Sequence, residues 1–571
     1  MKEDIQKLLD GIVLGLTDKK RSAEILRTKS ELHGDWTSNI AMVLSKELNK
    51  NPQELAKEII SQIKKIEWLE KVEIAGPGFI NFFLTRDASL KYLKKLIQED
   101  TSYFPINEKE PINILVEYVS CNPTGPIHVG HGRGAAFGSA LSNLLIRAGN
   151  KVTQEYYVND RGLQSETLGL SVFLRYQMLF EIDVHFPDDC YQGDYVKETA
   201  AKAKKLFKEN FVLTNPDDFN KIKNFNEMNA FVKNNFKDFD LLINFSIEEE
   251  IKKIKEDLKK FRVNHNVWFN ESTLYNQSDS KENDFEITRK NLEAKNNLFE
   301  KEGATWFRSS KHGDEKDRVF IRENSEPTYF ASDIAYHNLK YQRNFDLLIN
   351  VWGADHHGYL PRIEGAIKAL KLDTNILKTI FIQFVSLLRK GKLVSMSTRA
   401  GEFITLSSLI DEVGIDAARF FFLARKGDQS LDFDIDVATA ENKNNPVYYI
   451  QYAYARICSL EKELVKRGMS FDIEEGIENL SKLNGSQESE IISFIESYQD
   501  VLEQSYRDLE IHPICFYLRD LASKFHTYYN SEVIIDDDSK TRNAKYVLLL
   551  GIKRTIKSGF DLLSISTPEK M

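Results

Sequence analysis

Cysteine is scarce. Four residues (Cys121, Cys190, Cys458 and Cys515) serve a chain of 571, and no CxxC pair occurs. That excludes a zinc ribbon and argues against a disulfide framework, so the chain reads as reduced and cytoplasmic. No run of 18 or more uncharged apolar residues is present, which argues against a membrane span. The start, Met1-Lys2-Glu3-Asp4-Ile5, lacks the basic-then-apolar layout of a secretion signal. Surplus positive charge is missing too: 77 Lys and Arg face 86 Asp and Glu, a net −9. That balance neither demands nor excludes a nucleic-acid partner, because a local basic patch suffices. No internal repeat or heptad array appears.

What is present is enough for a core: 42% hydrophobic and 29% charged residues. At roughly 100–200 residues per domain, the length suits about three to five domains. Residues 1–105 read as a small α+β unit, with a helical pattern over 54–66 and two strands, VEIA and FINFFL, around Gly76-Pro77-Gly78. The polar stretch 98–111 suits a linker. Residues 112–160 follow strand–loop–helix–strand grammar: a strand at 112–119, a loop at 120–127, a small-residue helix over 129–148 and a strand at 152–158. That order predicts a nucleotide-binding α/β half-domain. Residues 161–320, rich in Lys, Asn, Asp and Phe, read as a mostly helical insertion. The α/β pattern resumes over 328–352 and 380–388, and from about 437 the chain is helical throughout, with single helices predicted at 448–464, 492–509 and 545–563.

Four groups of residues carry chemistry. The loop Cys121-Asn122-Pro123-Thr124-Gly125-Pro126-Ile127-His128-Val129-Gly130-His131 places two imidazoles three residues apart at a helix start. They are expected on one face of the first turn, where free N–H groups and the helix dipole suit phosphate. Gly130 leaves room for an adenine or ribose. The bland alternative is a metal pair or two ordinary polar histidines. The second group, Trp352-Gly353-Ala354-Asp355-His356-His357-Gly358, follows a buried-strand pattern, where ligands of open α/β sheets sit; on a strand, its adjacent acids and imidazoles would point to opposite faces and suit a shared metal poorly. The third, Ser395 to Gly401 with Lys390 and Lys392 before it, taken alone is a polar loop. The fourth is Glu117, Asn122, Tyr329 and Asp333; acids near strand ends suit a cationic substrate, against the alternative of solvated or salt-bridged surface carboxylates. No GxGxxG follows the first strand, which disfavours a nicotinamide dehydrogenase.

Taken in order, these motifs resemble the bacterial-type arginyl-tRNA synthetases, class I aminoacyl-tRNA synthetases. VEYVSCNPTGPIHVGHGRG (116–134) looks like that family's HIGH region, and YYVNDRG (156–162), PTYFASDIAYH (327–337), INVWGADHHGYLPR (349–362), DAARFFFLARK (416–426), NPVYYIQYAYARI (445–457) and STPEKM (566–571) also match; HGDWTSNIAM (33–42) resembles its N-terminal domain. The resemblance implies an α/β, Rossmann-like catalytic domain at 109–436, with a helical insertion at about 161–320 and a signature loop at 391–401. A tRNA-contacting α+β domain at 1–108 and an all-α anticodon-binding bundle at 437–571 flank it. It implies ATP with Mg²⁺ and no zinc, a tRNA partner, no membrane, a monomer, and a requirement for tRNA even in the first step.

By the same resemblance, His128, His131, Met396 and Ser397 are catalytic, and Gly130, Gly353, Asp355, His356, Lys392 and Arg399 bind ATP. Glu117, Asn122, Tyr329 and Asp333 hold arginine, whose guanidinium wants planar acceptors. Arg456, Tyr448 and Tyr452 contact tRNA, although residues 441–571 carry 16 Lys and Arg against 21 Asp and Glu. Core packing is the competing reading of the tyrosines. One departure stands out: the family's KMSKS loop aligns with Ser395-Met396-Ser397-Thr398-Arg399, so both lysines are replaced, and Lys392, Lys390 or Arg399 is expected to supply the cation. A catalytically impaired, tRNA-binding paralogue is the alternative that this loop raises.

Overall fold

In the computed structural model, which describes residues 2–28, 31–99, 104, 106, 110–276, 282–394 and 404–571, the N-terminal unit is α+β. Its antiparallel sheet runs Ile25–Arg27, Trp36–Ser38, Phe79–Leu84, Leu69–Ala75. The VEIA and FINFFL runs are the last two strands, joined where Gly76 and Gly78 take positive φ. The helix expected over 54–66 spans Pro52–Ser61; the Asn51 side chain caps it by accepting from the Gln53 N–H. The 98–111 stretch differs from a bare linker. Phe104 and Ile106 are buried, and Phe104 meets Tyr498 edge-on at 4.8 Å. Such a burial is worth about 1.5–3 kcal/mol, so Phe104 fastens its part of the chain to the C-terminal helices.

The central domain is a five-stranded, all-parallel sheet. We label its elements β1 (Asn113–Tyr118), α1 (Val129–Arg147), β2 (Lys151–Val158), β3 (Val267–Asn270), α2 (Tyr329–Gln342), β4 (Leu347–Gly353), α3 (Leu360–Ala369) and β5 (Leu377–Ile382). The strand order is β5-β4-β1-β2-β3. The small residues of α1 allow close packing: a Cβ on Gly138 would lie 2.3 Å from the Tyr118 ring.

The insertion over 161–320 is mostly helical, as expected, and adds short strands that the sequence did not signal. Helices Leu163–Met178, Asp194–Phe207, Pro216–Asn220, Phe225–Asn235 and Phe239–Lys260 build a separate aromatic-rich core. The chain then rejoins the parent sheet as β3, where Trp268 stacks on Tyr156 (4.3 Å, 19°). A three-stranded antiparallel sheet of Leu298–Lys301, Ala304–Phe307 and Arg318–Ile321 follows. Four-residue strands are too short to show a period in a Lys-rich sequence.

The C-terminal domain is helical. The single helix expected at 492–509 is two, Ser486–Glu496 and Tyr498–Asp508, joined at Ser497. Buried Arg419 ties this domain to the sheet domain by donating to the Leu563 and Phe261 carbonyls and to Ser139 Oγ. Arg27 of the N-terminal unit donates to Asp500 (3.0 Å) and lies 3.6 Å from Glu496.

Candidate active site

A cavity of about 370 Å³ opens at the carboxyl ends of β1, β2 and β4. Its lining brings together Glu117, Asn122, Tyr329 and Asp333, as well as Gly353 and His356. The helical period explains half of this. Tyr329, Asp333, Tyr336, His337 and Lys340 recur at helical spacing along α2, so one stripe of the helix faces the sheet. Thr328 caps that helix by accepting from the Ala331 N–H, which leaves Tyr329 part-exposed at the rim and Asp333 one turn deeper.

The acids of the cavity differ in their partners. Glu117 is buried; its Oε2 is bound by the Nζ of Lys340, itself fully buried, and its Oε1 accepts from Ser120 Oγ (3.0 Å). Burial pushes the Glu117 carboxyl up, but the Lys340 ammonium outweighs it and holds the group below its ordinary value. Among the described residues Asp333 has no cation bound to it directly, and Lys340 favours its charge only from a distance. Burial, reinforced by Glu271 and Glu117, pushes its carboxyl up to about 7, although the Tyr359 hydroxyl donates to it. Glu271, on the short helical turn Glu271–Tyr275 after β3, is likewise raised by burial. Asn159, with its amide oriented to suit its neighbours, donates to Glu271 Oε2 (3.1 Å). Three carboxylates thus meet one internal ammonium.

The phosphate-side loop differs from expectation. His128 is not on the first turn of α1 but caps it, its ring accepting from the His131 N–H at 3.4 Å. The two rings stack, with centroids 3.6 Å apart. A Cβ on Gly130 would lie 3.0 Å from the His128 ring, so this glycine first makes room for the cap. Burial, then His128, lowers His131 to about 3, and burial lowers His128. Both are neutral imidazoles near pH 7. His131 Nδ1 is buried with no partner among the described residues.

Asp355 and His356 sit on the tight helical turn Ala354–Tyr359 rather than on a strand, 3.5 Å apart and exposed. His357 turns away to stack on Phe381 (3.7 Å, 18°), which leaves no shared metal site for the three. Lys392 is exposed on the short strand Lys392–Leu393. Met396, Ser397 and Arg399, with the rest of 395–401, lie outside the described residues. On helix Pro446–Lys466, Tyr448 and Tyr452 are stacked at 6.4 Å, Tyr452 is exposed, and Arg456 lies over Tyr529 at 4.0 Å. Tyr454 of the same run is buried. The tyrosines therefore divide between surface and core.

Sequence reading missed Glu271, Asn159, Tyr157, Tyr336, His337, Lys340 and Tyr359. Tyr157, Asn159, Tyr336, His337 and Tyr359 lay inside matching motifs. Glu271 had no signal, since only the pairing of β3 brings it to the site.

Comparisons with known proteins agree with this architecture. Residues 1–84 match the arginyl tRNA synthetase N-terminal domain, 92–441 the class I (R) tRNA synthetase catalytic domain, and 450–571 the DALR anticodon binding domain. An arginine–tRNA ligase of Hydrogenovibrio crunogenus is 41% identical over 563 residues, 95% of this chain and 94% of that protein. One from Thioalkalivibrio sulfidiphilus is 40% identical, with both chains wholly covered. A solved arginyl-tRNA synthetase from Campylobacter jejuni superposes with a TM-score of 0.73 at 32% identity, over 86% of this chain and all of that one. The Thermus thermophilus enzyme shares the fold, with a TM-score of 0.76 at 19% identity over the full length of both.

Proposed function

The chain belongs to the arginyl-tRNA synthetase family, and from that premise we propose how its residues join L-arginine to tRNA. The protein is an arginine–tRNA ligase that uses ATP. The reaction runs through arginyl-adenylate. The arginine carboxylate attacks the α-phosphate of ATP and pyrophosphate leaves; a hydroxyl of the terminal adenosine of tRNA then attacks the arginyl carbonyl, and AMP leaves. Mg²⁺ arrives with ATP, held by phosphates and water.

The observation that carries the substrate assignment is the excess of acid in the cavity. Glu117, Asp333 and Glu271 surround a space whose internal cation, Lys340, is already paired with Glu117. A buried carboxylate without a cation is costly. Arginine offers what is missing: a planar guanidinium that donates in two directions and stays charged. Asp333 and Glu271 take the guanidinium, Tyr329 closes over it at the rim, and Glu117 with Asn122 faces the α-amino end. Lysine presents a point charge and satisfies two separated acids less well.

On the phosphate side, neutral His128 and His131 donate N–H groups to the oxygens of the α-phosphate as charge builds there. The start of α1 adds its dipole. Gly130, Gly353, Asp355 and His356 line the adenosine, and Lys392 and Arg399, with Met396 and Ser397, attend the pyrophosphate. The domains divide as 1–108, 109–436 and 437–571, and the ligase acts as a cytoplasmic monomer. Tyr448, Tyr452 and Arg456 meet unpaired tRNA bases, on which aromatic rings stack. No described observation favours an impaired paralogue.

The test is ATP–pyrophosphate exchange with each of the twenty amino acids, with and without tRNA. Exchange with arginine, only when tRNA is added, is the expected result. Exchange with another amino acid would overturn the cavity assignment, and its absence from folded, tRNA-binding protein would point to the impaired paralogue.

A further inference from the structure

We propose that Lys340 is a positioning residue that, through Glu117 and Ser120, holds the left-handed Val119–Ser120 turn and so aims the loop from Asn122 to His128. The proposal rests on the cavity being the arginine site. Directly after β1, Val119 and Ser120 both take positive φ, 70° and 42°. Neither is glycine, and a β-branched residue there is a genuine outlier. Such a conformation persists only where its surroundings over-determine it.

A chain of hydrogen bonds does so here. Ser120 Oγ accepts from the Tyr157 N–H (3.1 Å) and donates to Glu117 Oε1 (3.0 Å). Lys340 Nζ binds Glu117 Oε2 and donates to Asn350 Oδ1 (2.9 Å). Asn350 lies beside Glu117 across the β4–β1 pairing, and its amide reaches His337 Nε2 (3.0 Å). Lys340 touches no solvent. A buried ion pair is weak support for stability, since apolar residues of similar volume often serve as well. Its place behind a strained turn gives it another use. If the turn relaxed, Asn122 on the arginine side and His128 on the phosphate side would shift together.

The test is the paired variant Lys340→Met/Glu117→Met, which leaves no orphaned charge and keeps unbranched side chains of nearly the same length. It should unfold near the temperature of the parent chain. In tRNA-supported ATP–pyrophosphate exchange its kcat should fall about ten-fold or more, with KM raised for both arginine and ATP. Adding Val119→Gly should recover at least about five-fold, because glycine adopts positive φ without strain. Ser120→Ala, which leaves the buried pair intact, should reproduce the rise in ATP KM and covers the case in which the paired variant does not fold.

An unchanged rate, a loss confined to the arginine KM, or a loss that Val119→Gly does not recover would overturn the proposal. The arginine reading itself is checked separately by Asp333→Asn. An unchanged arginine KM there would sink that reading, while recovery by Val119→Gly would still support the turn.

Discussion

Asp333 makes arginine binding a protonation-linked event, and the size of the effect follows from its surroundings. Desolvation, with Glu271 nearby, pushes this carboxyl up to about 7. The ionised form holds a guanidinium far more tightly, because both oxygens then accept with charge, whereas the protonated carboxyl accepts only as a neutral group. The direction is therefore fixed: affinity is present above about pH 7 and is lost as pH falls through it. The ionised fraction is about a tenth at pH 6, half at pH 7 and nine-tenths at pH 8, and apparent affinity scales with the competent fraction. The arginine KM should fall about ten-fold from pH 6 to pH 8, while the KM for ATP changes little. Asp333→Asn should remove this pH dependence and raise the arginine KM about 30-fold or more, on the order of 2 kcal/mol for a severed buried charge pair.

Stability should move the other way. A carboxyl whose folded pKa is raised favours the folded state at low pH, and that advantage is lost as pH rises from about 4 through 7. Without arginine, Asp333→Asn should thus melt higher than the parent at pH 8, yet gain less than the parent from added arginine. Steady-state KM at three pH values and thermal unfolding with and without arginine measure both effects. A flat arginine KM from pH 6 to 8, or a pH dependence that survives in Asp333→Asn, would refute the reasoning.

Further outcomes follow from other parts of the site. His131→Ala should slow adenylate formation about 100-fold with little change in arginine KM. Since burial keeps His131 neutral down to about 3, single-turnover rates between pH 6 and 8 should show no histidine ionisation from it. Lys392→Ala should slow the same step about ten-fold, on the order of 1.4 kcal/mol; a normal single-turnover rate would remove Lys392 from the pyrophosphate side. Tyr452→Ala should raise the tRNA KM by the roughly 1–3 kcal/mol of a lost base stack, and leave the melting temperature alone because the ring is exposed. Arg27→Ala should strip buried Glu496 of its cation and destabilise the docking of the N-terminal unit by about 3 kcal/mol, read as faster proteolysis between the domains.

The sequence by itself determined the parallel-sheet core with a helical region after it, and it singled out Glu117, Asn122, Tyr329 and Asp333, which line one cavity. Short-range signals suffice for these: the apolar run of β1, the glycine- and proline-rich loop after it, and the two histidines at a helix start. The helical spacing of Tyr329 and Asp333 also placed them on one face. Tertiary structure alone decided how the site is charged. Glu117 read as an acid for a cationic substrate or as a solvated or salt-bridged surface carboxylate; it is buried instead, and Lys340, 223 residues away, holds one of its oxygens. Glu271 was invisible because the four-residue strand that delivers it has no period of its own and gains meaning only beside β2. His128 read as a helical residue and is a cap. Periodicity reports which face a residue takes within its own element; partners, protonation and strain arise where distant elements meet, and only packing creates those meetings.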